Sequence, residues 1–230
     1  MNFHKLPATV TLLSLLLLFT NQHLCAQHFE ISESKTAFRL INSDNLSIEF
    51  ENTLASFNAM TIKSKEGQFT KITIHSYGHM TEVGSPKLPV LKKLVEVPYD
   101  CEYEITYNYQ TSKTINLEDL KILHPLIPAQ PPVSKSEDDP ENRSFHVDET
   151  IYSTDRFFGT EPVRVTKLGI LIRLKLSRLE ISPFRYNPVT GELLILTGMS
   201  CRIEFKKSNQ AKTEKEKARV FSPWHEALYG

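Results

Sequence analysis

Neither charge predominates in this chain, in which 27 Lys and Arg face 27 Asp and Glu across 230 residues. No basic field favours nucleic acid and no acidic one favours cationic targets. Cysteine is scarce, with Cys25, Cys101 and Cys201 alone. Past the N-terminus there is no apolar run approaching the roughly 20 residues that a membrane-spanning helix requires. Chemical motifs are also missing: the chain has no phosphate-binding loop, no paired-carboxylate motif and no G-x-S-x-G elbow, so reaction classes built on them are excluded. What is present in quantity is apolar side chain, 40% of the residues, enough at this length for a real core and too much for general disorder.

Residues 1–26 differ from the rest. Lys5 stands in a short n-region, an apolar run extends from Ala8 to Phe19, and a polar stretch leads to Leu24, Cys25 and Ala26. This pattern predicts a secretory signal peptide cleaved between Ala26 and Gln27. A lipoprotein signal would place small residues before Cys25, where Gln22, His23 and Leu24 stand instead. The mature chain is therefore expected to be secreted or periplasmic, with no membrane segment after signal removal. Cys101 and Cys201 then remain in a compartment where a disulfide persists. A bridge between them would close a loop of about 100 residues and contribute up to about 4.7 kcal/mol in the chain-entropy model. The alternative is a pair of buried, unpaired thiols.

Period-two alternation dominates the remainder of the chain. Leu46, Ile48 and Phe50 alternate with polar neighbours, as do Cys101, Tyr103, Ile105, Tyr107 and Tyr109, while Ile72 and Ile74 carry a shorter version. Leu88 to Val97 is apolar on both phases, which suits a central strand. From Leu168 to Ile181 the apolar phase runs through Leu168, Ile170, Ile172, Leu174 and Leu176, then switches to Leu179 and Ile181. A one-residue phase change would flip every side chain unless a bulge absorbs it, so a β-bulge is predicted near Ser177 and Arg178. Asn187, Pro188 and Gly191 mark the turn within Ser182 to Leu196. Beyond it Leu193, Ile195, Met199, Cys201, Ile203 and Phe205 form an inward row, making residues 168–205 a long bent hairpin.

Two segments interrupt the strands. His124 to Ser144 holds five prolines and an acidic cluster, which reads as an exposed, protease-accessible loop. Lys206 to Arg219 reads as a solvated linker or loose helix, followed by N-cap and N1 signals at Ser222 and Pro223 for a short terminal helix. The expected organisation is a signal peptide (1–26), an all-β domain (27–205) and a charged linker with a terminal helix (206–230). The fold class is all-β, an antiparallel β-sandwich or flattened barrel.

Chemistry is thin throughout. Cys101 and Cys201 lie on apolar phases, which does not suit a nucleophile. His75 and His79 offer two ligands and no third, and Glu137 to Glu141 lacks the alternating ligands and glycine of a calcium loop. No metal site, cofactor or nucleic-acid surface is predicted. Tyr103, Tyr107 and Tyr109 fit sheet packing better than base or sugar stacking.

Four ordered segments carry a resemblance: GSPKLPVLKKLVEVP (Gly84 to Pro98), ILHPLIPAQPPV (Ile122 to Val133), FHVDETIYSTDRFF (Phe145 to Phe158) and ISPFRYNPVTGELLIL (Ile181 to Leu196). Together they resemble the propeptide domain of gingipain-type cysteine proteases, secreted bacterial enzymes of caspase-like fold. The resemblance implies an all-β domain, not itself an enzyme, that keeps a protease latent and assists its folding. It implies a partner, the gingipain-like catalytic domain, engaged in cis or in trans. The chain would be a free-standing inhibitor or the remnant of a longer zymogen. Because such proteases prefer Arg or Lys before the scissile bond, the resemblance makes Arg143 the candidate inhibitory contact and Arg219 the candidate processing site. An exported β-sandwich that serves binding or adhesion without a protease partner is the competing reading.

Overall fold

Alternation becomes twelve β-strands among the described residues of the computed structural model, 26–133 and 144–219, and every strand pairing is antiparallel. β1 (Gln27–Glu30), β4 (Ser56–Ser64) and β5 (Gly67–Thr73) form a three-stranded sheet. A four-stranded sheet runs β6 (Gly78–His79), β7 (Pro89–Glu96), β10 (Leu174–Ile181) and β9 (Val163–Leu171). The largest sheet is built on β12 (Glu192–Lys206). Its neighbour β8 (Glu102–Asn116) follows it from Glu192 to Lys206. The opposite edge is shared in succession by β11 (Phe184–Asn187) and β3 (Ser47–Thr53), with β2 (Ala37–Ser43) outside β3.

Two apolar clusters join these sheets. In one, Phe57, Ile72, Phe184, Tyr186, Leu193 and Ile195 pack the three-stranded sheet against the β11–β12 end. In the other, Phe50, Leu91, Leu179, Ile181, Met199 and Ile203 pack the four-stranded sheet against β3 and β12. Tyr77 touches both clusters, and its hydroxyl donates to Asn52 Oδ1 at 2.9 Å. Each such side chain contributes about 1.5–3 kcal/mol relative to exposure. The inward row from Leu193 to Phe205 is buried as the alternation predicted, and β7 is internal to its sheet.

The long apolar run is a hairpin, not one strand. β9 and β10 meet at Ile172 and Arg173, both with positive φ, so Leu168, Ile170 and Ile172 are exposed. The predicted irregularity does fall between Leu176 and Ser177, but the extra residue is Leu168 on the partner strand. Leu46 is exposed because Asp44 Oδ1 accepts from the backbone of Leu46 and Ser47, which closes a turn just before β3. Tyr107 and Tyr109 are partly exposed because β8 pairs with no second strand among the described residues.

Further differences concern the breaker-rich and charged segments. Leu126 and Ala129 are buried, and bridges Thr70 to Leu126, Val83 to Ala129 and Pro86 to Pro128 sew the first half of the expected loop into the body. The linker contains a helix, Gln210–Lys217, whose N-cap Asn209 accepts from Lys212 N. The expected helix at 222–229, the acidic cluster and the signal segment 1–25 lie outside the described residues. Of the predicted cleavage pair, Gln27 opens β1.

A bridge between Cys101 and Cys201 does not form; both are free and buried. Cys201 sits opposite Tyr107 on β8, and Cys101 lies six residues further along the same chain. At roughly 3.3 Å per residue that is about 20 Å, against the 4.4–6.8 Å between Cα atoms that a disulfide spans. Two residues can share an apolar phase and still be far apart along the strand.

Candidate inhibitory surface

All four sequence segments behind the resemblance are hydrogen-bonded to one another. Gly84 N donates to Ala129 O at 2.9 Å, Ala129 N to Ser85 O at 2.8 Å, and Asp148 N to Gly84 O at 3.1 Å. Gln130 and His146 close the base: the Gln130 amide donates to His146 O and accepts from His146 N, both at 2.9 Å. Phe145 packs on Phe69 with ring centroids 5.1 Å apart. Gln130 and His146 are thus tied to each other across the intervening stretch of sequence, and fixing the flanks of a segment lowers the entropy lost on binding. Arg143 falls between these flanks in sequence and lies outside the described residues.

Gly84 is required where it stands. Its φ is +84°, and a Cβ there would meet Asp148 N at 3.0 Å. Behind the clamp, helix α1 (Glu149–Ser153) is capped by Asp148, whose Oδ1 accepts from Ile151 N at 3.1 Å. The Tyr152 hydroxyl donates to Leu126 O at 2.6 Å, and burial pushes its pKa upward. Asn187 donates to Asp155 Oδ1 at 2.7 Å, and Phe158 exchanges two backbone hydrogen bonds with Tyr186. The strand that leads into NPVTG therefore buttresses the segment that follows α1, with Gly191 at φ +69°.

Arg219 stands elsewhere, past the last turn of helix α2 (Gln210–Lys217). Its guanidinium is half exposed and lies 3.3 Å from Glu216 Oε1. Glu216 also accepts from Arg173 at 2.8 Å, and that bond lowers its carboxyl pKa below the ordinary value. Nearby, Lys217 pairs with Glu96 at 2.9 Å and Thr213 Oγ1 accepts from Tyr99 N at 2.9 Å, so α2 is docked on the sheet rather than free. The signal missed in the sequence was Thr213, the one buried residue of a charge-rich helix.

The thiols are held as thiols. Burial pushes Cys201 up to about 12 and raises Cys101 as well. His79 is half-buried and bonded to Ile72 O at 2.9 Å, with its pKa lowered by that burial. Among the described residues no three His, Cys, Asp or Glu side chains converge. Tyr103 bonds Ser177 Oγ at 2.7 Å, which makes it a packing residue between sheets, while the Tyr107 and Tyr109 rings meet at a tilt with centroids 5.5 Å apart.

Comparison with known proteins agrees with this geometry. The family described as Propeptide_C25 matches residues 32–225. Lys-gingipain HG66 of Porphyromonas gingivalis is 28% identical over 209 residues, 90% of this chain but 12% of the relative, and Lys-gingipain W83 of the same species matches equally. The chain thus spans about an eighth of those relatives' length. A solved structure concerned with the zymogenic latency of gingipain K from Porphyromonas gingivalis superposes with a TM-score of 0.73. Identity there is 24%, covering 79% of this chain and 99% of that one. A complex of the pro- and mature domains of RgpB from the same species gives a TM-score of 0.59 at 20% identity, covering 74% and 86%.

Proposed function

Since the chain belongs to the Propeptide_C25 family, a propeptide domain and not a catalytic protease domain, we propose that it binds the catalytic domain of a gingipain-like cysteine protease, keeps it latent and assists its folding. The observation that supports this reading is the clamp at Gly84, Gln130 and His146, which joins the recognised segments on either side of the stretch of sequence that carries Arg143. Arg143 enters the specificity pocket in the manner of a substrate. One charged hydrogen-bonded contact is worth about 1.5–3 kcal/mol, whereas nanomolar latency takes about 12. The rest comes from a broad surface of roughly 800 Å² on each partner. Arg219 is the processing site, half exposed past the last turn of α2 and reached there while the helix stays docked. The protein acts after export, and among the described residues no helix is long and apolar enough to cross a membrane.

The test is inhibition of a panel of gingipain-like catalytic domains by the refolded chain, with Arg143→Ala and Arg219→Gln variants. Nanomolar inhibition that weakens at least tenfold in Arg143→Ala, with cleavage after Arg219 that the Gln variant abolishes, is the expected result. A panel that is neither bound nor able to cut the chain would overturn the proposal.

A further inference from the structure

The β9–β10 hairpin ends in a turn whose sequence works against its geometry. Leu171 pairs with Leu174, so Ile172 and Arg173 form a two-residue loop, and their φ values are +46° and +71°. Two successive positive φ angles favour Asn-Gly or Asp-Gly, and a β-branched residue there is strained. The strain gains no burial in return. Ile172 is 59% exposed, and Leu168, Ile170 and Leu171 are 50%, 62% and 46% exposed beside it. Four large aliphatic side chains thus crowd one hairpin tip, among Lys167, Arg173 and Lys175. Strain kept at an exposed apolar tip is the signature of a surface whose packing partner lies outside the domain.

The position of the tip indicates which partner. Arg173 and Arg219 share Glu216, at 2.8 and 3.3 Å, so the tip stands beside the candidate processing bond. A protease seated to cut there lies against this hairpin. We propose that Leu168, Ile170 and Ile172 form an apolar wedge that docks in a depression of the protease catalytic domain, at a site separate from the clamped loop. The inference rests on the latency reading above. It assigns to the hairpin tip part of the broad contact that one arginine cannot supply.

Ile172→Asn separates docking from folding, because Asn accepts a positive φ that Ile resists. The unaltered chain, Ile172→Asn and Ile170→Ser are titrated against a catalytic domain that the unaltered chain inhibits, with Tm recorded for each. The expected result is an inhibition constant raised at least tenfold in both variants, while Tm in Ile172→Asn is equal or higher. Unchanged inhibition at raised Tm would show a tip that is merely strained, overturning the wedge and leaving latency standing. A change in the chain's own sedimentation would assign the tip to a second copy and overturn it too. Absence of inhibition by the unaltered chain itself would remove the latency reading and the wedge with it.

Discussion

Substitution of Gly84 by Ala tests whether the loop clamp is a mechanical unit. An L-residue in the left-handed region costs about 1–2 kcal/mol, and Gly84 has φ +84°. The new methyl would also stand 3.0 Å from Asp148 N and 3.3 Å from its Cβ. Backbone cannot swing aside as a flexible side chain can, so the Asp148 N to Gly84 O hydrogen bond, 3.1 Å long, must lengthen or break. That adds about 1 kcal/mol. The sum is about 2–3 kcal/mol, and at about 2–4 °C per kcal/mol for a domain of this size Tm falls by roughly 4–12 °C. The assay is urea and thermal unfolding, paired with limited trypsin digestion followed by mass spectrometry. Cleavage within 131–145 should accelerate ahead of cleavage elsewhere. Gly67→Ala is the control, because its φ is +128° with no atom within 4 Å of the added Cβ, so it carries backbone strain without the clash. A loss below about 1 kcal/mol in Gly84→Ala, or equal digestion in both variants, refutes the clamp.

Other consequences are simpler to measure. With Cys201 held at about 12, about one thiol in 10⁴ is ionised at pH 8, so neither Cys201 nor buried Cys101 should react with a thiol reagent until denaturant is added; prompt reaction of the native protein contradicts the burial. The sign for stability comes from the same shift. The unfolded thiol ionises near 9.0 while the folded one keeps its proton to about 12, so this group's contribution is complete below pH 9 and is lost as pH rises through that window. Equilibrium unfolding between pH 8 and 10 reads it. Glu180 is buried and takes two hydrogen bonds from Arg164, at 2.9 and 2.6 Å. Glu180→Ala should cost about 1.5–3 kcal/mol through lost charged hydrogen bonds, because Arg164 is half exposed and rehydrates when its acceptor goes, and a change under 1 kcal/mol in urea unfolding would count against it.

Turn chemistry explains much of the difference between expected and observed strands. The Leu168 to Ile181 run conceals its hairpin because Ile172 and Arg173 carry none of the residues that announce a two-residue turn. Gly169 was the sole local sign. Leu46 fell on the right phase, yet the Asp44 side chain had already closed a turn around it. The buried stretch Leu126 to Ala129 was hidden for another reason: prolines signal irregular backbone but not exposure, and this backbone satisfies its groups through Thr70, Ser85 and Lys87.

From composition and alternation alone, the chain was committed to strands with the inward row Leu193 to Phe205 and an internal β7. Local sterics and side-chain period act within a few residues, so they are legible in one dimension. Pairing decided the rest. Register put about 20 Å between two cysteines of like phase, hydrogen-bonded segments from Gly84 to Leu196 to one another, and left a strained apolar tip beside Arg219. Those are distances between residues remote in sequence, and hydrogen-bonded registry between strands fixes them.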